Sequence, residues 1–228
     1  MMLQSIDKGK IYFYFFLLVA LVSIHNLSLK NSIDNYFKIK KIVLKNDVGE
    51  EFNYDISSSL SEFYKRNIFS IDYKEFENNL GNFNIIDEYK IKKEYPSTLK
   101  IEIKKTNVLA YYLNENNKIY IGENGKKIDQ ISLIDKNLPI VIGKVDIKQF
   151  LELNKKLLKY NFSLNEFSKI YFFKSNRWDL LYKDKITIKL PINNLDKSLD
   201  DLKELMKNLD IDDFQIIDLR IKNKIIFT

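Results

Sequence analysis

The residues that could perform acid–base or metal chemistry are few in this chain. His25 is the single histidine of the 228 residues, and it lies near the end of an apolar stretch. A Ser–His–Asp triad or a histidine-based metal site in the rest of the chain is therefore excluded. Adjacent acidic pairs occur at Glu50–Glu51, Asp200–Asp201 and Asp212–Asp213. Such pairs in polar stretches are usually solvated, and no pattern brings a buried acid and base together.

Glycine and cysteine usage argues against nucleotide and thiol chemistry. The chain has six glycines and no cysteine, and Gly122 and Gly125 fit turns rather than a phosphate-binding loop. The absence of cysteine is compatible with a domain outside the cytoplasm that needs no disulfide, and with other compartments as well. We predict no catalytic residue, no cofactor and no metal ion.

Trp178 and the Asp218–Arg220 pair each allow two interpretations. Trp178 could stack on a ligand, but an indole on an alternating strand is more often part of the core, which we favour. Asp218 and Arg220 lie two apart on one strand face, so they could form a structural salt bridge or contact a partner. The sequence leaves both possibilities open for that pair.

The charge balance predicts a solvated surface and no nucleic-acid site. The chain carries 37 basic and 31 acidic residues, for a formal net charge of +6, and the two signs are interspersed. No cluster combines basic and aromatic residues, as a nucleic-acid interface would require.

Residues 11–29 contain no charged side chain and are flanked by Lys8, Lys10 and Lys30. A helix of this length spans roughly 28 Å, close to the hydrocarbon thickness of a bilayer. A cleaved signal peptide is the alternative, but no small-residue cleavage site follows the segment. We predict an uncleaved transmembrane helix over 11–29, a cytoplasmic tail over 1–10, and the remaining chain outside the cytoplasm.

Residues 36–106 are predicted to form a β-α-α-β-β domain. A strand over 37–44 precedes a helix capped by Asp55 and a second helix capped by Asp72 and ended by Gly81. Strands over 85–94 and 99–105 follow, separated by a turn at Pro96, since proline cannot continue a strand ladder. Apolar residues at 99, 101 and 103 alternate with charged ones, which is typical of a half-buried strand.

Residues 107–228 are predicted to form a β-rich domain with an antiparallel sheet and two flanking helices. Short runs of alternating apolar residues indicate the strands, and the segments 147–160 and 195–209 carry apolar stripes at helical spacing. The fold class is therefore α+β, with an N-terminal transmembrane helix ahead of both domains.

Several segments resemble those of a known protein family. Asn67–Asp72 resembles Asn-Leu-Phe-x-Ile-Asp, Tyr95–Ile101 resembles Trp-Pro-x-x-Leu-x-Ile, and Val108–Tyr112 resembles Pro-Val-Ala-x-Trp. Arg177–Leu180 and Ile217–Arg220 resemble Arg-x-Trp-x-Leu and Val-Asp-Leu-Arg. Together, and in this order, they resemble the FtsQ/DivIB family of bacterial division proteins, in which a membrane span precedes a POTRA domain and a β domain.

This resemblance implies a non-catalytic scaffold of the divisome in the inner membrane at the division septum. It implies partners of the FtsB/FtsL type outside the membrane and a role in regulating septal peptidoglycan synthesis. The alternative is a POTRA-containing envelope-assembly or secretion adapter that holds extended client segments. The single β-α-α-β-β pattern favours division, and an enzyme of unfamiliar type is the third interpretation.

The predicted partner site is the last strand of the chain, which we expect to form an exposed sheet edge open to strand addition. The resemblance points to the same strand, and we expect Arg220 to donate a charge-assisted hydrogen bond to an acidic partner side chain. The predicted partner-binding residues are Arg220, Ile221, Lys222, Asn223, Lys224, Ile225, Ile226 and Phe227. In the rival interpretation this strand is internal, and Ile225 and Phe227 are core residues.

Overall fold

The computed structural model describes residues 8–23, 33–46, 50–115, 117–129, 138–144, 146–208, 214–222 and 224–228. The chain divides into two compact units, Met1–Lys104 and Lys105–Thr228.

The first helix, α1, spans Lys8–Ser23, and all its side chains are exposed. Across the described residues, no helix combines the length and the apolar character needed to cross a membrane. The apolar segment predicted over 11–29 continues through residues 24–29, which lie outside the described residues.

The rest of the first unit has the element order β-α-α-β-β. The elements are β1 (Lys41–Asn46), α2 (Glu50–Ser59), α3 (Tyr73–Leu80), β2 (Ile86–Glu94) and β3 (Thr98–Lys105). In the sheet, β3 lies between β1 and β2 and runs parallel to β1. The alternation predicted in β3 is confirmed, because Leu99, Ile101 and Ile103 are buried.

The two helices of this unit begin differently. Asp72 caps α3, since its carboxylate accepts a hydrogen bond from Lys74 N at 3.1 Å while Glu75 accepts one from Asp72 N at 3.3 Å. The predicted cap at Asp55 is wrong, because α2 begins at Glu50 and Asp55 lies inside it. The helix extends further upstream than predicted because Phe52, one turn before Ile56, is also buried.

The second unit contains one large sheet and two helices. Its strands are β4 (Val108–Asn114), β5 (Asn117–Gly122), β6 (Lys127–Ile128), β7 (Ile140–Ile142), β8 (Phe167–Phe172), β9 (Trp178–Tyr182), β10 (Ile186–Lys189), β11 (Ile216–Asp218) and β12 (Ile226–Phe227). Its helices are α4 (Ile147–Lys159) and α5 (Leu195–Asn208). The strand order is β12-β11-β10-β9-β8-β7-β4-β5-β6.

The sheet is mixed, which corrects the prediction of an antiparallel sheet. The pairs β4–β7, β7–β8 and β10–β11 are parallel. Helix α4 connects β7 to β8 and helix α5 connects β10 to β11, so each helix returns the chain to the end of the sheet where the preceding strand began. A strand that follows such a crossover runs parallel to its predecessor. The two predicted helices are therefore crossover connections.

Both helices contribute to one core with the sheet. Phe150 and Leu157 of α4 and Leu199 and Leu202 of α5 are buried in it. Trp178 lies in the same core, with its ring centroid 4.3 Å from that of Phe172 and 6.4 Å from that of Phe150. The interpretation of Trp178 as a core residue is thus confirmed.

The two helices also meet through charged side chains. Asp196, in the first turn of α5, forms salt bridges of 2.9 Å with Lys156 and Lys159, in the last turn of α4. The hydrogen bonds from Lys159 and Lys156 lower the pKa of Asp196 to about 2. This arrangement places a negative charge at the N-terminus of α5 and positive charges at the C-terminus of α4. The helix dipoles favour both placements.

Candidate functional site

Strand β12 is the outermost strand at one end of the sheet in the part of the chain that the structure describes. It pairs antiparallel with β11, with Phe227 opposite Ile217 and Ile226 opposite Asp218. Among the described strands, β12 is therefore not internal to the sheet, whereas the other part of the rival interpretation holds, because Ile225 and Phe227 pack against the core.

The backbone of β12 presents hydrogen-bonding groups on its outer side. Thr228 and Ile216 exchange two bonds, Ile216 N to Thr228 O at 3.0 Å and Thr228 N to Ile216 O at 3.2 Å. Residues in an antiparallel pair alternate between bonded and non-bonded positions, so Ile226 also bonds towards β11. The amide and carbonyl groups of Ile225 and Phe227 consequently point away from β11, towards the open edge.

The side chains of residues 225–227 point alternately towards the core and towards solvent. Ile225 and Phe227 pack against the core, and the Phe227 ring stacks on Phe214 with centroids 4.8 Å apart. Ile226 is 42% exposed. The inward side chains fix the strand on the domain while its outer backbone groups remain accessible.

Arg220 is engaged within its own chain. Its Nε donates to Asp218 Oδ1 at 2.8 Å and to Oδ2 at 3.0 Å, its Nη2 also donates to Oδ2, and its backbone N donates to Oδ1 at 3.0 Å. These bonds lower the pKa of Asp218 and raise that of Arg220. The structural salt bridge that the sequence left open is therefore observed, and a contact of Arg220 with a partner stays a prediction.

A second arginine–aspartate pair lies on β9 and the residue before it. Arg177 Nε donates to Asp179 Oδ1 at 3.1 Å, and the guanidinium lies 4.3 Å from the centroid of the Phe173 ring. Asp179 is buried, and it stands opposite Lys189 of β10, which in turn stands opposite Asp218 of β11. The sequence singled out Trp178 in this segment and attached no role to Arg177.

A cleft of about 470 Å³ adjoins the segment that leads into β12. Residues 219–222, 224 and 225 form one side of it, and residues 191–194 with the first turns of α5 form another. The basic side chains among its described lining residues are Arg177, Lys197, Arg220, Lys222 and Lys224, and the acidic one is Asp201. Arg177 and Arg220 are paired with Asp179 and Asp218, so Lys222 and Lys224 supply most of the positive charge that suits this cleft to an acidic segment of a partner.

Most of the predicted site residues gather at this cleft and edge. Arg220, Ile221, Lys222, Lys224 and Ile225 line the cleft, and Ile226 and Phe227 form β12. Asn223 lies outside the described residues. Lys197 and Arg177 were missed because they are distant in sequence, and only the fold brings them to the cleft.

Each of the two units matches a known protein family. The family described as "POTRA domain, FtsQ-type" matches residues 37–105, and the family described as "Cell division protein FtsQ/DivIB, C-terminal" matches residues 110–220. The second match ends at Arg220, so β12 lies beyond it.

Individual proteins give the same family. Cell division protein FtsQ of Rickettsia bellii is 28% identical over 193 residues, which cover 82% of this chain and 71% of that protein. The FtsQ of Rickettsia typhi is 26% identical over 190 residues with the same coverage. The solved extracytoplasmic domain of DivIB from Geobacillus stearothermophilus aligns with 46% of this chain and 98% of its own, at 17% identity and a TM-score of 0.33, too low to define a common fold.

Proposed function

The chain belongs to the FtsQ/DivIB family of cell division proteins, and from this premise we propose that it is a non-catalytic, single-pass membrane scaffold of the divisome. In this role it is anchored in the inner membrane by residues 11–29, with its two domains outside the cytoplasm at the division septum. It binds division proteins of the FtsB/FtsL type there and helps to regulate septal peptidoglycan synthesis.

The observation that supports a binding role is the open edge of β12 next to a basic cleft. An extended partner segment would add to the sheet by bonding the outward groups of Ile225 and Phe227. Backbone bonds of this kind supply affinity without requiring a particular partner sequence. Specificity would then come from side chains that meet the cleft.

The cleft favours acidic residues in the partner segment next to the added strand. Lys222 and Lys224 are exposed, and they stand beside the path that such a segment would take. Opposite charges at an interface mainly accelerate association and select the partner. Because the Arg220 guanidinium is paired with Asp218, its charge is largely offset. We propose that Arg220 shapes the cleft wall and bonds the partner directly, while Lys222 and Lys224 supply most of the positive field.

The test separates the backbone groups of the edge from its side chains. Ile225→Pro removes an outward N–H, whereas Ile225→Ala removes side-chain packing and keeps the N–H. We expect Ile225→Pro to lose capture of an FtsB/FtsL-type partner from detergent-solubilised membranes, while Ile225→Ala retains it. Proline at Ile226 is unsuitable because it removes a bond to β11 and would damage the sheet itself.

Folding of each variant is checked by its thermal unfolding curve. Equal capture by the proline and alanine variants, both folded, would exclude strand addition at β12. For the cleft, Arg220→Ala and Lys222→Glu should both reduce capture, and normal capture by both would remove the cleft from the interface.

The cellular role has its own test. We expect depletion to give elongated, undivided cells and a fluorescent fusion of the protein to concentrate at midcell. Normal division in a clean deletion would contradict the divisome role and favour the alternative, an envelope-assembly or secretion adapter.

A further inference from the structure

Four aromatic side chains form a connected cluster on the surface of the first unit. The ring centroids are 5.3 Å apart for Tyr36 and Phe37, 5.0 Å for Phe37 and Phe69, and 5.0 Å for Phe69 and Tyr95. Tyr36, Phe69 and Tyr95 are each 58% exposed. We call these four residues the aromatic cluster. A contiguous apolar surface of this kind usually marks an interaction site.

Three separate segments are held together to form the cluster. Ile68 N donates to Phe37 O at 2.9 Å, and Lys40 N donates to Ser97 O at 2.9 Å. Asn67 caps the 3₁₀ turn Ile68–Ser70, because its Oδ1 accepts from Phe69 N at 3.0 Å. These backbone bonds hold the three segments together, so the aromatic cluster is already formed in the free domain.

The surroundings of the cluster carry more positive than negative charge. Exposed lysines at 40, 41 and 65 and the half-buried Lys38 lie on the segments that form it. Within four residues of the cluster in sequence, the exposed acidic residues are Asp34, Asp72 and Glu94. Lysines beside aromatic rings suit a surface that offers both an apolar boundary and anionic groups, as a bilayer interface does.

The aromatic cluster lies close in sequence to the predicted membrane segment. Tyr36 comes seven residues after Leu29, the predicted end of the membrane segment. Residues 33–36 form a helical turn, so the chain between Leu29 and Tyr36 reaches at most about 20 Å. This step rests on the anchor proposed above. With that anchor in place, the cluster is tethered within reach of the headgroup layer.

We propose that the aromatic cluster seats the POTRA domain on the bilayer that holds the anchor. The rings of Tyr36, Phe69 and Tyr95 enter the interfacial layer, and the neighbouring lysines meet anionic headgroups. The domain would then stand on the membrane in a defined orientation instead of turning freely on its tether.

The absence of native cysteine allows a clean test with single spin labels on the full chain. One label is placed at Ser70→Cys, beside Phe69, and the control label at Asn82→Cys, beyond the end of α3. Both positions are exposed, and the eight residues of α3 separate them along the domain by about 12 Å. The labelled protein is reconstituted into vesicles of phosphatidylethanolamine and phosphatidylglycerol.

We expect the label at 70 to collide more with lipid-soluble oxygen and less with a water-soluble nickel chelate than the label at 82. Phe69→Gln combined with Tyr95→Gln should make position 70 as water-accessible as position 82. Tyr54→Gln is the matched control, because Tyr54 is 79% exposed and lies outside the cluster. Replacing phosphatidylglycerol with phosphatidylcholine should weaken the effect at 70.

Flotation of the vesicles after alkaline washing separates this inference from the anchor. Failure of the protein to float would overturn the anchor and, with it, the seating of the domain. Flotation with positions 70 and 82 equally exposed to water would overturn the seating alone, and so would contact with lipid that survives the double glutamine variant.

Discussion

At the scale of single residues, the Asp218–Arg220 pair shapes the surface next to β12. Asp218 accepts both from the guanidinium and from the backbone N of Arg220, two residues further along the chain. The carboxylate therefore holds the turn that follows β11 and directs residues 220–222 along the cleft. The arginine that a partner would meet is already oriented by its own domain.

Asp218→Asn should lower the free energy of unfolding by about 1 kcal/mol at neutral pH, since hydrogen bonds to a charged group are lost. The pKa of Asp218 is lowered in the folded state, so its contribution is complete above the unfolded pKa of about 3.9. The contribution disappears as pH falls through the folded-state pKa. Urea unfolding of both proteins between pH 7 and pH 3 measures this, and a difference that stays constant across the range would contradict it.

The aspartates before the helices indicate how far residue patterns can predict local structure. Asp72 and Asp146 both cap helices, and each is followed three residues later by Glu75 or Gln149. Asp55 is followed at that spacing by Ser58, so it lacks the capping-box partner. The missing partner at position 58 argues against a cap at Asp55, whereas the apolar residues that follow Asp55 are equally compatible with a position inside the helix.

At the scale of elements, the helices and strands of the second unit follow their apolar patterns, while their directions depend on connections. The stripe of α4 predicted the helix within one residue of its observed end. It did not predict that β8 runs parallel to β7, because strand direction depends on which strands become neighbours in the sheet. The positions of Arg177 and Lys197 at the cleft follow from that arrangement and could not be read from spacing.

Adjacent leucines on α4 provide a direct test of its buried face. Leu157 is fully buried, whereas Leu158 is 53% exposed. We expect Leu157→Ala to lower the free energy of unfolding by about 2–4 kcal/mol, because it removes buried methyl groups and leaves a cavity. Leu158→Ala should change it by less than about 0.5 kcal/mol. Chemical denaturation of both variants measures the difference, and similar losses would mean that the helix is rotated from the described position.

At the scale of the whole molecule, the order of segments carries the family assignment. Each short motif is weak alone, yet the two family matches follow one another along the chain as the motifs predicted. The order of segments carries no information on the partner's sequence, because backbone bonding at a sheet edge, the proposed mode of binding, selects weakly for sequence. The basic side chains of the cleft narrow the choice of partner to segments that carry acidic residues.

The proposed topology predicts opposite results from two reporter fusions. Alkaline phosphatase, which is active outside the cytoplasm, should be active when fused after Thr228 and inactive when fused after Lys10. The first position follows both domains and the second precedes the apolar segment. Activity limited to the Lys10 fusion would reverse the orientation, and a mature protein that begins after residue 25 would mean that the segment is cleaved.

The crossover made by α5 also affects the stability of the sheet edge at β12. Among the described strands, β11 pairs with β10 and β12 pairs with β11, so the placement of both depends on α5, whose buried residues are Leu199 and Leu202. Strands at the edge of a sheet tend to open at a lower free energy than strands at its centre. Amide hydrogens of β11 should therefore exchange faster than those of β9. The edge would be complete only in molecules whose last crossover is fully packed, so partner capture would also report on the folding of the domain.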